Sequence, residues 1–266
     1  MGLEIFVCIK QVPHPDHFSE IQVDVGKGRV IGEGIPVIMN PLDRHALEEA
    51  LRNKERFSGR VTVIRMGRPR AQKAVEEALA MGADRAVLLY DTAFTRPDTL
   101  ATAFTLFYAI QRLGKFDLIY CGNETVDSGT AQVGPMLAEL LDIPQVSSVQ
   151  EVSFVDEKSL EVRRAWEHGH MKVRLKLPAL LSVTRDINRP RLPTVQGIME
   201  VPQKEVIIWN AKDIGAPLEN VGLKGSSIYA AGIHEYKTDR RREMMQGSTE
   251  EKAQRAVARL KELGAI

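Results

Sequence analysis

Residues 121–141, CGNETVDSGTAQVGPMLAELL, decide how this chain is read. The apolar run Asp117-Leu118-Ile119-Tyr120 enters them as a β-strand, and a loop of Gly, Ser, Thr and Asp follows. The loop opens into a helix expected to begin Thr130-Ala131-Gln132-Val133-Gly134-Pro135. Unpaired backbone N–H groups, short hydroxyls and a helix N-terminus then meet at one point, where the N–H groups and the helix dipole favour an anion. The first expectation is a phosphate-bearing nucleotide or dinucleotide.

The sequence around this stretch is that of a globular protein. Of its 266 residues 44% are hydrophobic and 27% charged, and the net charge of +1 gives no bulk attraction to nucleic acid or anionic membrane. Cys8 and Cys121 are too few for a disulfide framework. The opening MGLEIFVCIKQVP reads as a first strand and not as a leader peptide. No apolar run approaches the roughly 20 residues that span a bilayer, so a cytoplasmic location is expected.

Strand-like runs alternate with helical patterns through the first half. Residues 5–9, 61–66, 86–90 and 118–121 read as buried strands. Residues 43–57 carry apolar side chains at Ala46, Leu47, Ala50 and Leu51, a helical spacing introduced by Asn40-Pro41-Leu42-Asp43. A second helix is expected from Arg70 to Met81 with Gly82 as its stop, and a third from Pro97-Asp98 to Leu113-Gly114. This alternation implies βαβ units and a parallel sheet, with ligands at the C-terminal ends of the strands.

Beyond Pro144 the texture changes. Residues 152–154, 160–164 and 173–177 read as short alternating strands suited to antiparallel pairing, and 178–184 as a further buried strand. From Asp186 the chain reads as irregular, its prolines leaving little room for helix or central strand. Residues 211–246 continue in this style, and residues 249–263 recover a helix with Ala253, Ala256, Val257, Leu260 and Leu263 on one face. The expected organisation is an α/β domain over 1–210, containing a loop at 186–200, and an arm over 211–266 lying across another surface.

Catalytic motifs are scarce. The histidines are scattered; His168 and His170 share a strand face but read better as a solvated turn than as ligands, and no metal site is expected. No nucleophile elbow, Walker A loop or G-x-G-x-x-G fingerprint occurs, and neither cysteine sits in an activating motif. What remains are loops after strands. Lys10-Gln11-Val12-Pro13 places a cation beyond the first strand, and Asn40-Pro41 follows. Met66-Gly67-Arg68-Pro69 offers a close backbone approach, and residues 122–134 complete the set. A surface lysine and ordinary loop glycines explain each singly; together they fall where a nucleotide belongs in such a sheet.

The words that carry a resemblance are VCIKQVP near the start, MNPLDRHALEEALRNKE at 39–55 and EEALAMGADRAVLL at 76–89. DTLATA at 98–103, CGNETVDSGTAQVGPMLAELLDIPQ and RPRLPTVQGIM at 189–199 complete them. Over essentially its whole length the chain resembles the beta (small) subunit of electron-transfer flavoprotein. The resemblance implies an adenine-nucleotide hydrolase-like, Rossmann-like α/β fold and a heterodimer with an alpha subunit that carries the shuttling FAD. It also implies a C-terminal extended arm embracing that subunit. Conventional members hold AMP in the beta site as a structural ligand. Electron-bifurcating members hold a second FAD that takes a hydride from NADH and divides the electron pair between two acceptors.

Thr130-Ala131-Gln132-Val133-Gly134-Pro135 looks like the bifurcating group, and the 98–103 run is similar to the region lining the flavin ring there. Val126-Asp127-Ser128-Gly129-Thr130 departs from the I-D-G-D-T common in that group, and Asn123-Glu124 from Arg-Gln, so AMP stays open beside FAD. On the resemblance, Cys8, Lys10, Asn40, Met66, Gly67, Thr102 and Gly122 line the cofactor site with Asp127, Gly129, Thr130, Ala131, Gln132 and Val133. No side chain is expected to act as catalytic acid, base or nucleophile. Arg191, Leu192, Val195, Ile198 and Met199 match the family's recognition loop for acyl-CoA dehydrogenases, with Val195 where Leu is typical. Ferredoxin or flavodoxin is the low-potential acceptor that bifurcation implies.

Overall fold

The computed structural model of the chain describes residues 2–24, 29–31, 34–67, 72–228 and 242–266. Arg68, Pro69, the expected helix start at Arg70, His234 and the middle of the expected arm (229–241) lie outside the described residues.

Ile5-Phe6-Val7-Cys8 is apolar at every position because β1 (Glu4–Cys8) is covered on both faces. Ile5 and Val7 face one core, Phe6 and Cys8 the other. A short strand β2 (Gln11–Pro13) follows; β3 (Gln22–Asp24) and β4 (Arg29–Ile31) form a ribbon, and β5 (Val37–Met39) returns to pair with β2. Helix α1 (Pro41–Phe57) buries Ala46, Leu47, Ala50 and Leu51, each leucine stabilising the fold by roughly 1.5–3 kcal/mol. Asn53 of α1 donates to the hydroxyl of fully buried Tyr120 at 2.7 Å, which satisfies the one polar atom on that ring.

The chain then lays down β6 (Arg60–Met66), α2 (Lys73–Met81), β7 (Arg85–Leu89), α3 (Thr99–Leu113) and β8 (Leu118–Gly122). Helix α4 (Val133–Leu140) precedes β9 (Gln145–Asp156), β10 (Ser159–Trp166), β11 (Gly169–Lys176) and β12 (Ala179–Val183). Helix α5 (Val195–Glu200), β13 (Glu205–Trp209) and α6 (Thr249–Glu262) complete the described elements. One sheet runs β11-β10-β9-β12-β8-β1-β6-β7-β13, parallel from β9 to β13 and antiparallel across β9, β10 and β11.

Helices α1 and α2 share one core; α3 and α4 cover the opposite face. From β1 the chain moves to β6 and β7 on one side, then returns to β8 on the other. Strand order therefore reverses at β1/β8, and the crevice beyond the C-terminal ends of these strands is where this class of sheet binds ligands.

Four expectations change. The helix after the 121–129 loop starts at Val133 and not Thr130, because Ala131 is left-handed (φ 54°) and breaks the turn. The stretch from Asp186 is less irregular than its prolines suggest: Thr194 caps α5 by accepting from the N–H of Gly197 at 3.0 Å, and Glu205-Val206-Ile207-Ile208-Trp209 adds the edge strand β13 on β7. The hairpin strands β9–β11 are longer than the alternation implied. The boundary at 210 also falls inside a packed segment. Ala211, Ile214, Ala216 and Val221 join the core beneath α3, and Asp98 holds the N–H groups of Ser227 and Ile228 at 2.7 and 3.1 Å. Helix α6 buries none of its side chains.

Candidate nucleotide site

Two buried polar side chains at the N-terminus of α1 organise the crevice. Asn40, fully buried, donates through Nδ2 to the carbonyl of Glu124 at 2.9 Å and accepts from the N–H of Val126 at 3.2 Å. Asp43 accepts from the N–H of Lys10 at 2.7 Å with one oxygen and from that of Gly122 at 3.0 Å with the other. One carboxyl thus clamps the ends of β1 and β8 together. Gly122 is required here: a Cβ would lie 2.5 Å from the Asp43 carboxylate and 2.7 Å from Leu42 Cβ. Burial pushes the Asp43 carboxyl up to about 7, against the pull of the two N–H donors.

Burial likewise pushes the neighbouring thiols up. Cys121 reaches about 12, against a hydrogen-bond contact with Ser182 at 3.3 Å, and burial, with the added influence of Cys121 and Asp43, pushes Cys8 well above the ordinary thiol value. Neither is a reactive thiolate. They form a floor, and Gly134 keeps α4 close to it, since a Cβ there would stand 2.6 Å from Ser182 Oγ and 3.0 Å from Cys121 Sγ.

Above the floor, Lys10 Nζ reaches Asp127 at 2.7 Å, and Thr125 donates to the same carboxylate at 2.6 Å. Burial opposes ionisation of Asp127, but Lys10 and Thr125 hold its carboxyl below the ordinary value. The N–H groups of Ser128 and Gly129 close a turn onto the carbonyl of Thr125. Gly129 and Ala131 are both left-handed, at 58° and 54°. A left-handed alanine costs about 1 kcal/mol, a strain that clusters where a loop must present its backbone. Among the described residues, no hydrogen bond takes up the N–H groups of Thr130, Ala131 or Gln132, and all three residues are exposed. This run of open donors next to the start of α4 suits a phosphate.

The structure brings most of the expected residues to this one edge. Lys10, Asn40, Gly122 and Asp127 are joined through the bonds above, and Cys8 sits opposite Cys121 in the β1/β8 register. Met66 and Gly67 end β6 beside β1, the Gly67 N–H donating to Leu89 O at 3.0 Å. Helix α3 arrives through Thr99, which donates to Gln132 at 2.9 Å, while the Thr102 hydroxyl donates to the carbonyl of Asp98. The Asn40 side chain spends its polar atoms on the 124–126 backbone, so it holds the loop from beneath. Sequence reasoning read Asp43 only as part of a helix start, and it included Thr99 and Thr125 in the 98–103 run and the 122–134 loop without singling them out. Their roles come from contacts between distant segments, which local pattern does not encode.

The recognition segment is seated on the same helix. Arg191 bonds Glu48 at 2.8 Å and also pairs with Glu55, so its guanidinium faces inward; Asn188 bonds His45 and Glu49. Leu192, Val195 and Met199 are 81%, 77% and 72% exposed, with Ile198 at 57%. A groove of about 400 Å³ between α2 and Pro193, Ile198, Val201 and Pro202 lies under this segment. Among the described residues there is no cluster fit to hold a metal ion and no helix long and apolar enough to cross a membrane.

Comparison with known proteins identifies the family. The family described as "Electron transfer flavoprotein domain" matches residues 28–214. The chain is 44% identical over 260 residues to the electron transfer flavoprotein subunit beta of Clostridium acetobutylicum, covering 98% of each chain. The subunit beta of Thermoanaerobacterium thermosaccharolyticum is 43% identical over 97% of this chain and 98% of its own. The caffeyl-CoA reductase-Etf complex subunit CarD of Acetobacterium woodii is 39% identical over 98% of both. With a matching family over most of its length, and relatives of this identity end to end, the chain belongs to the electron transfer flavoprotein family as a beta subunit.

Proposed function

We propose that the crevice at the C-terminal ends of β1, β6 and β8 binds FAD, and that the chain works as the NADH-accepting half of a heterodimer with an alpha subunit. The observation that carries this reading is the open run of N–H groups at Thr130, Ala131 and Gln132. Three consecutive open donors beside a helix start can serve the oxygens of two linked phosphates, so they suit a pyrophosphate better than one phosphate. Asp43 and Asn40 hold the 122–126 backbone that leads into that segment, and Gly122 lets the N-terminus of α1 lie close to β8. Cys8 and Met66 line the adenosine end, and Thr99, Thr102 and Gln132 line the end toward α3. Bound there, the flavin supplies hydride acceptance and one-electron transfer, and the protein's part is to orient it and exclude competing reactions.

Electrons then pass to the alpha-subunit FAD and an acyl-CoA dehydrogenase-type partner, and to a low-potential acceptor such as ferredoxin or flavodoxin. Leu192, Val195, Ile198 and Met199 dock the dehydrogenase, Arg191 braces them, and the chain beyond Ile228 reaches across alpha. The relation to a subunit of a caffeyl-CoA reductase complex supports a dehydrogenase-type partner. Structural AMP is the second reading, favoured by the pairing of Lys10 with Asp127, which occupies that ammonium beside the turn.

The test is cofactor content of the purified heterodimer. A flavin in each subunit, reduced by NADH in stopped-flow, is the expected result. A single flavin with AMP retained in the beta subunit would reject the first reading in favour of the second.

A further inference from the structure

Arg65 is the penultimate residue of β6 and is 4% exposed. Among the described residues its buried Nε and Nη1 meet no hydrogen-bond partner. It shares a strand face with Val61 and Val63, the face covered by α1 and α2. Its guanidinium extends toward the end of the strand and lies against the backbone of Gly67, where a Cβ would stand 2.8 Å from Nη2. Helix α2 follows on that face, so its N-terminus lies at the strand end that Arg65 points to. The N-cap residue Gln72 makes no side-chain cap bond, and among the described residues the one side chain that accepts from this end is Gln11, whose Oε1 takes the Ala74 N–H at 3.3 Å.

A guanidinium buried near a positive helix end is unfavourable unless an anion joins it. The protein supplies none in sequence: residues 66–73, MGRPRAQK, hold no acid and three bases. Glu77 of α2 is paired with Arg44, and Glu76 is exposed. Burial alone lowers the Arg65 guanidinium to about 10, with no carboxylate acting on it.

We propose that Arg65, lying against Gly67 and beneath the N-terminus of α2, forms an oxyanion site that takes a phosphate group. The site is on the α1/α2 side of the sheet, apart from the 127–132 turn, and does not depend on which nucleotide that turn holds. The phosphate comes from solution or from a nucleotide that reaches across β6. Arg suits it because the fork bonds two phosphate oxygens at once.

The experiment uses the full-length heterodimer, loaded with its cofactor or stripped of it. Binding of inorganic phosphate is followed by ³¹P line broadening and by melting temperature, with chloride at equal ionic strength as control. The stripped wild-type pair should bind phosphate, and Arg65→Met should lose at least about tenfold in affinity. Without phosphate, Arg65→Met should melt no lower than wild type, because an uncompensated buried charge is gone. Arg65→Lys, which keeps the charge and loses the fork, should fall between and serves if the Met variant does not fold. Persistence of the response after reloading identifies free phosphate as the ligand; its disappearance identifies the cofactor's own phosphate. A wild-type pair indifferent to phosphate, or an Arg65 variant with unchanged phosphate affinity, would overturn the proposal.

Discussion

Helix α1 holds two functional segments by different physics. At its N-terminus, Asn40 and Asp43 grip the 122–126 backbone through buried hydrogen bonds. Two turns on, Glu48 and Glu55 grip Arg191 through ion pairs that are partly open to water. The first grip leaves backbone donors projecting into the crevice; the second leaves apolar side chains projecting into solvent. The proposed anion site is anchored by buried hydrogen bonds that salt screens little, and the proposed docking surface by ion pairs that ionic strength can loosen.

The largest expected effect comes from Asp43. Its folded pKa, about 7, stands above the ordinary 3.8, so its stabilising contribution is full below about pH 4 and is lost as pH rises through about 7. That difference corresponds to roughly 4 kcal/mol. Asp43→Asn should remove this slope from chemical-denaturation curves between pH 4 and 8, while costing about 1–3 kcal/mol throughout because one N–H loses its acceptor. An unaltered slope would mean that the carboxyl is not the clamp.

Gly122→Ala comes next. Its Cβ would meet the buried Asp43 carboxylate and the α1 backbone, costing about 3 kcal/mol and emptying the nucleotide site. Gly197→Ala is its counterpart at the other segment, where a Cβ would stand 2.2 Å from the carbonyl of Ala80. It should unseat α5 and weaken dehydrogenase coupling, yet leave cofactor content intact. Loss of cofactor in both variants would dissolve the distinction between the two grips.

Arg191→Ala should cost about 2 kcal/mol, since Glu48 is buried and, among the described residues, keeps only Arg52 and the backbone N–H of residue 191 as partners. Burial works against ionisation of Glu48, but Arg191 holds its carboxyl below the ordinary value, so this contribution is present above about pH 4.5 and fades as pH falls below it. The loss should shrink in high salt, unlike that of Gly122→Ala. The smallest change in stability, within about 0.5 kcal/mol, belongs to Val195→Asp on the exposed face. Reduced turnover with the dehydrogenase and unchanged NADH oxidation are expected; equal loss of both would argue against docking there.

The parallel strands were legible because residues such as Ile5-Phe6-Val7-Cys8 are apolar at every position, which only two covered faces require. The helices α1 and α3 announced themselves through spacing and through Asp98, whose side chain caps α3. Strand β13 hid behind Pro202 and a polar run; its pairing with β7 is decided by the sheet and not by its own five residues. Helix α5 hid for the same reason, between Pro193 and Pro202, with Thr194 as its one local signal. At the candidate site, the loop glycines and hydroxyls were visible, whereas Asp43 and Arg65 matter because of burial. Burial belongs to the assembled molecule, and a carboxyl or guanidinium in a string of letters reads as surface.

Because β13 pairs with β7 and the 211–221 segment packs beneath α3, the chain on either side of α5 is stitched independently into one body. A protease that nicks the 192–199 stretch would therefore yield two fragments that stay associated under native conditions and separate only in denaturant. On the proposed function, such a nicked subunit would still bind the nucleotide and would no longer dock the dehydrogenase.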